Sequence, residues 1–293
     1  MQTVNIESSQ TRTGYFASSS RWLLRSACVV AASLLVACGG GGDSAPAAGS
    51  GGGSVAAAPA AVPPPPDSGG ASCGVATELF TGGNVFEAAT RLYRPDASVL
   101  GTQRTRTVNT AGVTFNGVST VESAGSGTTT IATPPSVTAG RFTSYNNIVG
   151  SAVPQHGIKL PMGSIEVTTT YSPLLLRALS PALGTVESQS VVQTMNESGP
   201  GAAAGSRNST FSITRTAQAI ETITIPAGTV SVCRSSVDTV DDGVTSQQTQ
   251  YTLAVGACRG QIARLVDRPT GRVLFEMTSA SWNGASCTAP AAS

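Results

Sequence analysis

Charge is the first thing this sequence has little of. Only 11% of its 293 positions are Asp, Glu, Lys or Arg, where soluble chains approach about a quarter. The surface must therefore be wetted by Ser, Thr, Asn and Gln. The two signs balance at 17 basic and 16 acidic residues, net +1, which leaves neither a basic footprint for nucleic acid nor an acidic tail. Lysine occurs once, as Lys159, and histidine once, as His156 in Val153-Pro-Gln-His-Gly-Ile158. A serine hydrolase would have to take its base from that one imidazole, and no Gly-x-Ser-x-Gly elbow presents a nucleophile. A Ser-x-x-Lys pair is excluded because His156 stands three residues before Lys159. His156 reads as an exposed loop residue between Pro154 and Gly157. No Cys-x-x-Cys occurs, which argues against redox chemistry, and thiolates without histidine partners at metal spacing argue against zinc. No cofactor is implied.

Long apolar runs are also missing, with one exception. Ala27 to Val36 is almost unbroken, follows Arg21 and Arg25, and ends in Leu35-Val36-Ala37-Cys38-Gly39. Positive charge, a short apolar stretch and small residues at the cut form a signal-peptide layout, and the run is too short to span a bilayer. Leu-Val-Ala-Cys resembles the lipobox of bacterial lipoproteins. The resemblance implies cleavage before Cys38, a diacylglyceryl group on its thiol and acylation of the new amino terminus. Several chains hold a protein on a membrane where one does so marginally. Gly39, in place of the aspartate that retains enteric lipoproteins in the inner membrane, implies the outer membrane. Residues 1–37 are thus the expected signal peptide and 38–72 a tether of Gly, Ala, Ser and Pro, including Pro63 to Pro66. Such a stretch cannot bury enough apolar surface to offset its ordering entropy. Its serines Ser44, Ser50, Ser54 and Ser68 are candidate O-glycosylation sites, although a plain spacer is the simpler reading.

From Cys73 to Cys287 the dominant signals are β-branched residues, alternation and frequent turns, with 288–293 left as a tail. Phe211-Ser-Ile213-Thr-Arg-Thr216, Ile220-Glu-Thr-Ile-Thr-Ile225 and Val273-Leu-Phe275-Glu-Met277 alternate as half-buried antiparallel strands do. Turn signals fall at Asn116-Gly117, Pro226-Ala-Gly228, Asp242-Gly243 and Pro269-Thr-Gly271. The sequence between Pro173 and Pro181, Leu174-Leu-Leu-Arg-Ala-Leu179, allows one helical turn or a loop that plugs an apolar opening. Ile225-Pro-Ala-Gly-Thr-Val230 followed by Cys233-Arg234 resembles the V-P-A-G-T-F strand-turn-strand signature of a broad group of uncharacterised proteobacterial envelope proteins. Leu253-Ala-Val-Gly256 with Ile262-Ala-Arg264 is similar to its continuation. The resemblance implies a single, strongly curved antiparallel sheet, half-barrel or sandwich-like, akin to the half-barrels of lipoprotein carriers.

Cys73, Cys233, Cys258 and Cys287 suit two disulfides in an oxidising compartment, with three possible connectivities. Cys73 and Cys287 near the domain ends could clamp the termini, leaving Cys233 for Cys258. That second bridge requires help, because a two-residue turn at Asp242-Gly243 sets Cys233 opposite Thr252. The six further residues are about 20 Å of strand, beyond the roughly 7 Å a disulfide tolerates, unless the chain bends at Gly256.

Carboxylates are scattered. Asp238, Asp241 and Asp242 lack calcium-loop spacing and read as a solvated hairpin tip. Glu166 and Glu221 are the pair that could still serve a glycosidase if the fold brought them together. The function expected from these features is a non-enzymatic, membrane-anchored envelope module. It would bind an apolar or amphipathic ligand, or an envelope component, on its concave face. The alternatives are an assembly protein using exposed sheet edges and a hydrolase without recognisable motifs.

Overall fold

The computed structural model describes residues 71–288. The expected signal peptide, Cys38, nearly all of the tether and the last five residues of the tail lie outside the described residues. A single turn of 3-10 helix (Thr77–Phe80) leads into β1 (Val85–Tyr93), β2 (Val99–Phe115), β3 (Val118–Ala132), β4 (Pro135–Asn146), β5 (Ala152–Met162) and β6 (Ile165–Ala178). The chain continues through β7 (Val186–Ser198), β8 (Ser206–Ile225), β9 (Gly228–Asp241), β10 (Val244–Leu253), β11 (Ile262–Asp267) and β12 (Arg272–Trp282), then a short β13 (Ala285–Ser286). Each strand pairs antiparallel with the next, and β1 pairs with β12 from Phe86↔Trp282 to Leu92↔Phe275. The meander is therefore a closed ring of twelve strands. The half-barrel or sandwich expected from sequence is corrected by this last pairing. An open sheet would leave β1 and β12 as unpaired edges, and closure satisfies both.

Local chemistry explains the meander. The β2–β3, β9–β10 and β12–β13 turns are Asn116-Gly117, Asp242-Gly243 and Asn283-Gly284, each with positive φ at both positions. This is the twist-compatible two-residue hairpin geometry. Along β2, Gly101 and Gln103 are buried and Thr105 half-buried, whereas Thr102, Arg104 and Arg106 are exposed. Leu174–Leu179, considered above as a helical turn, is instead extended: β6 runs through Leu174 to Ala178. A leucine run carries no period, and tertiary pairing makes it a strand: Ala152 to Gln155 of β5 pair with Leu175 to Ala178.

Two hairpins are longer than the ring requires, and their tips fold onto neighbouring strands. The β2–β3 tip lays Phe115 on Tyr145, with ring centroids 4.1 Å apart and stacked. Gly157 lies beneath, where a Cβ would come 2.6 Å from the Phe115 ring. Burial and the Glu122 carboxylate push the Tyr145 hydroxyl up to about 12. The β8–β9 tip reaches β11 and β12. Ala227 N–H donates to Met277 O, and the Arg264 guanidinium donates to Thr224 O. Ile225, Val230, Val232, Leu253, Ala263 and Trp282 close into one core there.

The segment before β1 covers one end of the ring. Ser72, Val75 and Ala76 donate backbone hydrogen bonds to Ala254, Leu179 and Arg259, and the Asn109 side chain holds Leu79 O. Val75 and Ala76 are buried. Both disulfides stand at this end. Cys73 bonds Cys233 and Cys258 bonds Cys287, so the termini clamp Cys73–Cys287 and its companion Cys233–Cys258 are both corrected. The reason is the register: Cys233 sits opposite Thr252, out of reach of Cys258. The domain's amino-terminal segment passes over Cys233, and its carboxyl terminus runs back beside the β10–β11 loop. With the ring, plug and both bridges inside residues 71–288, this part of the chain satisfies its own edges and folds as a unit.

Candidate functional site

The ring encloses a lumen of about 250 Å³, close to the lower limit of small-molecule sites. Its lining mixes polar and apolar groups. On β2–β5, Gln103, Thr105, Thr107, Asn109, Ser123, Ser144, Asn146 and Gln155 line it beside Phe142, Val153, Ile158 and Leu160. The opposite wall mixes Leu175, Val237, Ile262, Phe275 and Met277 with Ser235, Gln250 and Thr252. Leu175 and Val237 are backed by a core cluster with Val191, Phe211 and Ile213, and Ile262 and Phe275 by another with Leu265 and Leu92. Among the lining residues, Thr90 Oγ1 and Asn109 Oδ1 are buried and have no hydrogen-bond partner within the protein. Buried polar atoms left unpaired cost stability, so a water or ligand that hydrogen-bonds to either is favoured there.

Three charged side chains line the lumen among the described residues: Arg177, Glu187 and Arg215. They lie beside a break in the wall. β6 and β7 pair from Glu166↔Ser198 only as far as Ser172↔Val192, and Pro173, which has no N–H to donate, follows. Beyond it the two strands separate. Gln189 bridges them with its side chain: its Oε1 accepts from Leu176 N–H at 2.7 Å and its Nε2 donates to Leu176 O at 2.6 Å. Arg177 donates to Gly260 O at 3.1 Å, and Arg215 reaches toward Leu176 O at 3.5 Å. Burial first, and the neighbouring Arg215 charge second, bring Arg177 down to about 10, with Glu187 opposing. Burial also lowers Arg215, again opposed by Glu187. Replacing Gln189 with Ala should cost about 1 kcal/mol in urea unfolding, the net worth of an exchangeable hydrogen-bond pair. An unchanged midpoint would show that Gln189 does not bridge the strands.

The outer face carries charged groups as well as exposed valines such as Val137 and Val192. Glu87 and Arg106 form an exposed ion pair at 3.2 Å, and Arg104 and Arg141 also point to solvent. No described helix is long and apolar enough to cross a membrane.

The residues singled out from sequence are dispersed. Glu166 pairs with Lys159 at 3.3 Å and Glu221 with Arg234 at 3.9 Å. One lies at the start of β6 and the other on the second half of β8, at opposite ends of the ring, so they share no cleft. Asp238 pairs with Arg268, Asp242 with Arg207, and Asp241 accepts from Gln193. The hairpin tip is therefore tied by ion pairs and not merely solvated. No group of three metal-ligating side chains occurs among the described residues. His156 is not in a loop. It is the bulged residue of β5, partly buried, with Nε2 3.0 Å from Asn147 Oδ1, and burial lowers its pKa. Sequence reasoning missed Arg177, Glu187 and Arg215, which carry no motif. Their one signal is charge inside apolar runs, in Leu175-Leu-Arg-Ala-Leu179 above all.

No protein-family model and no curated protein sequence matches the chain. Among solved structures, a "putative lipoprotein" from Parabacteroides distasonis is similar at 12% identity. It covers 72% of this chain and 99% of that one, with a TM-score of 0.40. A "putative exported protein with YmcC-like fold" from Bacteroides fragilis is similar at 11% identity, with the same coverage and a TM-score of 0.38. Likeness at this level fixes neither family nor activity.

Proposed function

We propose that the chain is an envelope lipoprotein whose barrel takes up an apolar or amphipathic molecule without chemically transforming it. The observation that carries this reading is the lumen, where apolar side chains such as Leu175, Val237, Ile262 and Phe275 are interspersed with amides and hydroxyls. A purely structural core would fill such a space with side chains, as small barrels do. Two disulfides support residence in an oxidising compartment, in keeping with export through the segment ending at Cys38. Assembly through sheet edges is the weaker alternative, because β1 and β12 are paired with one another. The motif-less hydrolase is weaker too, since the carboxylates it would use stand apart.

The test is to produce residues 71–293 in an oxidising compartment, extract the pure protein with organic solvent and analyse the extract by mass spectrometry. The expected result is a stoichiometric amphiphile that disappears when Leu175, 4% exposed in the lumen wall, becomes Asp in a protein that keeps its β circular dichroism. An empty extract, from protein that also binds no added decanol, overturns the proposal. The anchor is tested separately. In the full chain, Cys38→Ser should move the protein from the membrane fraction to the soluble one or leave it uncleaved, with loss of acyl mass. Unchanged acylation would refute lipidation at Cys38.

A further inference from the structure

We propose that the molecule held in the lumen is a single-chain amphiphile with an anionic head, carboxylate or phosphate. Its head sits between Arg177 and Arg215 at the break between β6 and β7, and its alkyl chain lies along the Leu175–Val237 wall. The inference rests on the lumen being a binding site and adds the class of molecule.

Three observations carry it. First, the lumen's charges are concentrated at one place and do not cancel: two guanidinium groups face one carboxylate, Glu187. Glu187 and Arg215 are direct cross-strand neighbours. Glu187 acts on Arg177 as well, but Arg177 donates its hydrogen bond to Gly260 O, a neutral group, and one carboxylate does not balance two guanidinium charges. A guanidinium carries five donors in a fork suited to carboxylate or phosphate oxygens. Second, withdrawal from water weakens the hold of both groups on their protons, and at Arg177 the neighbouring Arg215 charge adds to it, the electrostatic condition that an incoming anion relieves. Third, the charges stand where the wall is discontinuous. Leu176 lines the lumen and is 43% exposed, and Leu183 and Val186 nearby are 54% and 61% exposed. An apolar lip beside two cations offers a lateral way in for a chain with a charged head, while the plug covers the end of the ring.

The arrangement predicts discrimination by head group at fixed chain length. Titration calorimetry of residues 71–293 with decanoate, decyl phosphate, decanol and decyltrimethylammonium should rank both anions at least tenfold tighter than decanol, with the cation weakest. Arg177→Gln with Arg215→Gln should reduce the anions to the affinity of decanol and leave decanol unchanged. Glu187→Gln, which removes the competing carboxylate, should tighten decanoate several-fold and serves where the double variant fails to fold. Inorganic phosphate binding as tightly as decyl phosphate would overturn the amphiphile in favour of a free anion. Equal binding of all four probes would overturn the head-group assignment and leave the lumen reading standing. Binding of none would defeat both.

Discussion

Paired replacement of Cys73 and Cys233 by serine is expected to destabilise the domain by about 5 kcal/mol, against about 3.5 kcal/mol for Cys258 with Cys287. The order follows from what each bridge closes in the unfolded chain, 160 residues in the first case and 29 in the second. The loss of conformational freedom grows with the logarithm of that length. The two bridges also differ in what they hold. Cys73 belongs to the plug and lines the lumen, whereas Cys287 ties the carboxyl terminus to the β10–β11 loop. The first double variant should therefore bind alkyl probes less tightly and expose the lumen to solvent, and the second should not. Guanidinium unfolding of both double variants measures the order. Equal losses, or a larger loss for Cys258 and Cys287, would contradict the assignment of the long loop to the plug.

The second large effect is expected at Gly74. The plug crosses β6 so closely that a Cβ at this position would lie 1.7 Å from Leu179 O, a backbone atom that cannot give way without breaking its bond to Val75 N–H, 2.9 Å long. Gly74→Ala should thus unseat the plug at a cost of about 3 kcal/mol, in the range of steric clashes in packed interiors. The loss should be local. Amide exchange at Val75 and Ala76, whose N–H groups bond Leu179 O and Arg259 O, should accelerate. The β1–β12 seam from Phe86 to Leu92 should keep its protection. Gly127 supplies the control, since a Cβ there meets nothing nearer than 3.4 Å, and Gly127→Ala should change stability little. If Gly74→Ala proved as silent as Gly127→Ala, the plug would not be seated as described.

Much of the fold is legible in the sequence for a simple reason: a meander is specified by local rules. Asn116-Gly117 and Asp242-Gly243 declare their hairpins, and Phe211 to Thr216 and Ile220 to Ile225 declare their faces, because pleat and turn chemistry act over a few residues. Closure does not act locally. Phe86 meets Trp282 across 196 positions, and nothing in Val85-Phe-Glu-Ala88 distinguishes a strand paired on both sides from an edge. The leucine run at 174–179 was ambiguous because uninterrupted apolar residues fit either period. The cysteine pairing failed where two expectations collided. The Asp242-Gly243 register, which was correct, already placed Cys233 opposite Thr252, and the clamp between Cys73 and Cys287 was preferred nonetheless. The cationic break in the wall was illegible because Arg177 and Arg215 meet only through the geometry of β6, β7 and β8, and because a missing stretch of ladder leaves its trace in one side chain, Gln189, and not in a motif.

The decisive property of the barrel is whether its lumen admits a ligand. Methionine methyl NMR on residues 71–293 asks this directly, since Met277 is 1% exposed and lines the lumen, whereas Met162 is 41% exposed at the end of β5. Addition of decanoate should shift the Met277 methyl resonance until one equivalent is bound, with Met162 unmoved. A Met277 signal that stays fixed at saturating decanoate, while the protein remains folded, would contradict a ligand-binding lumen.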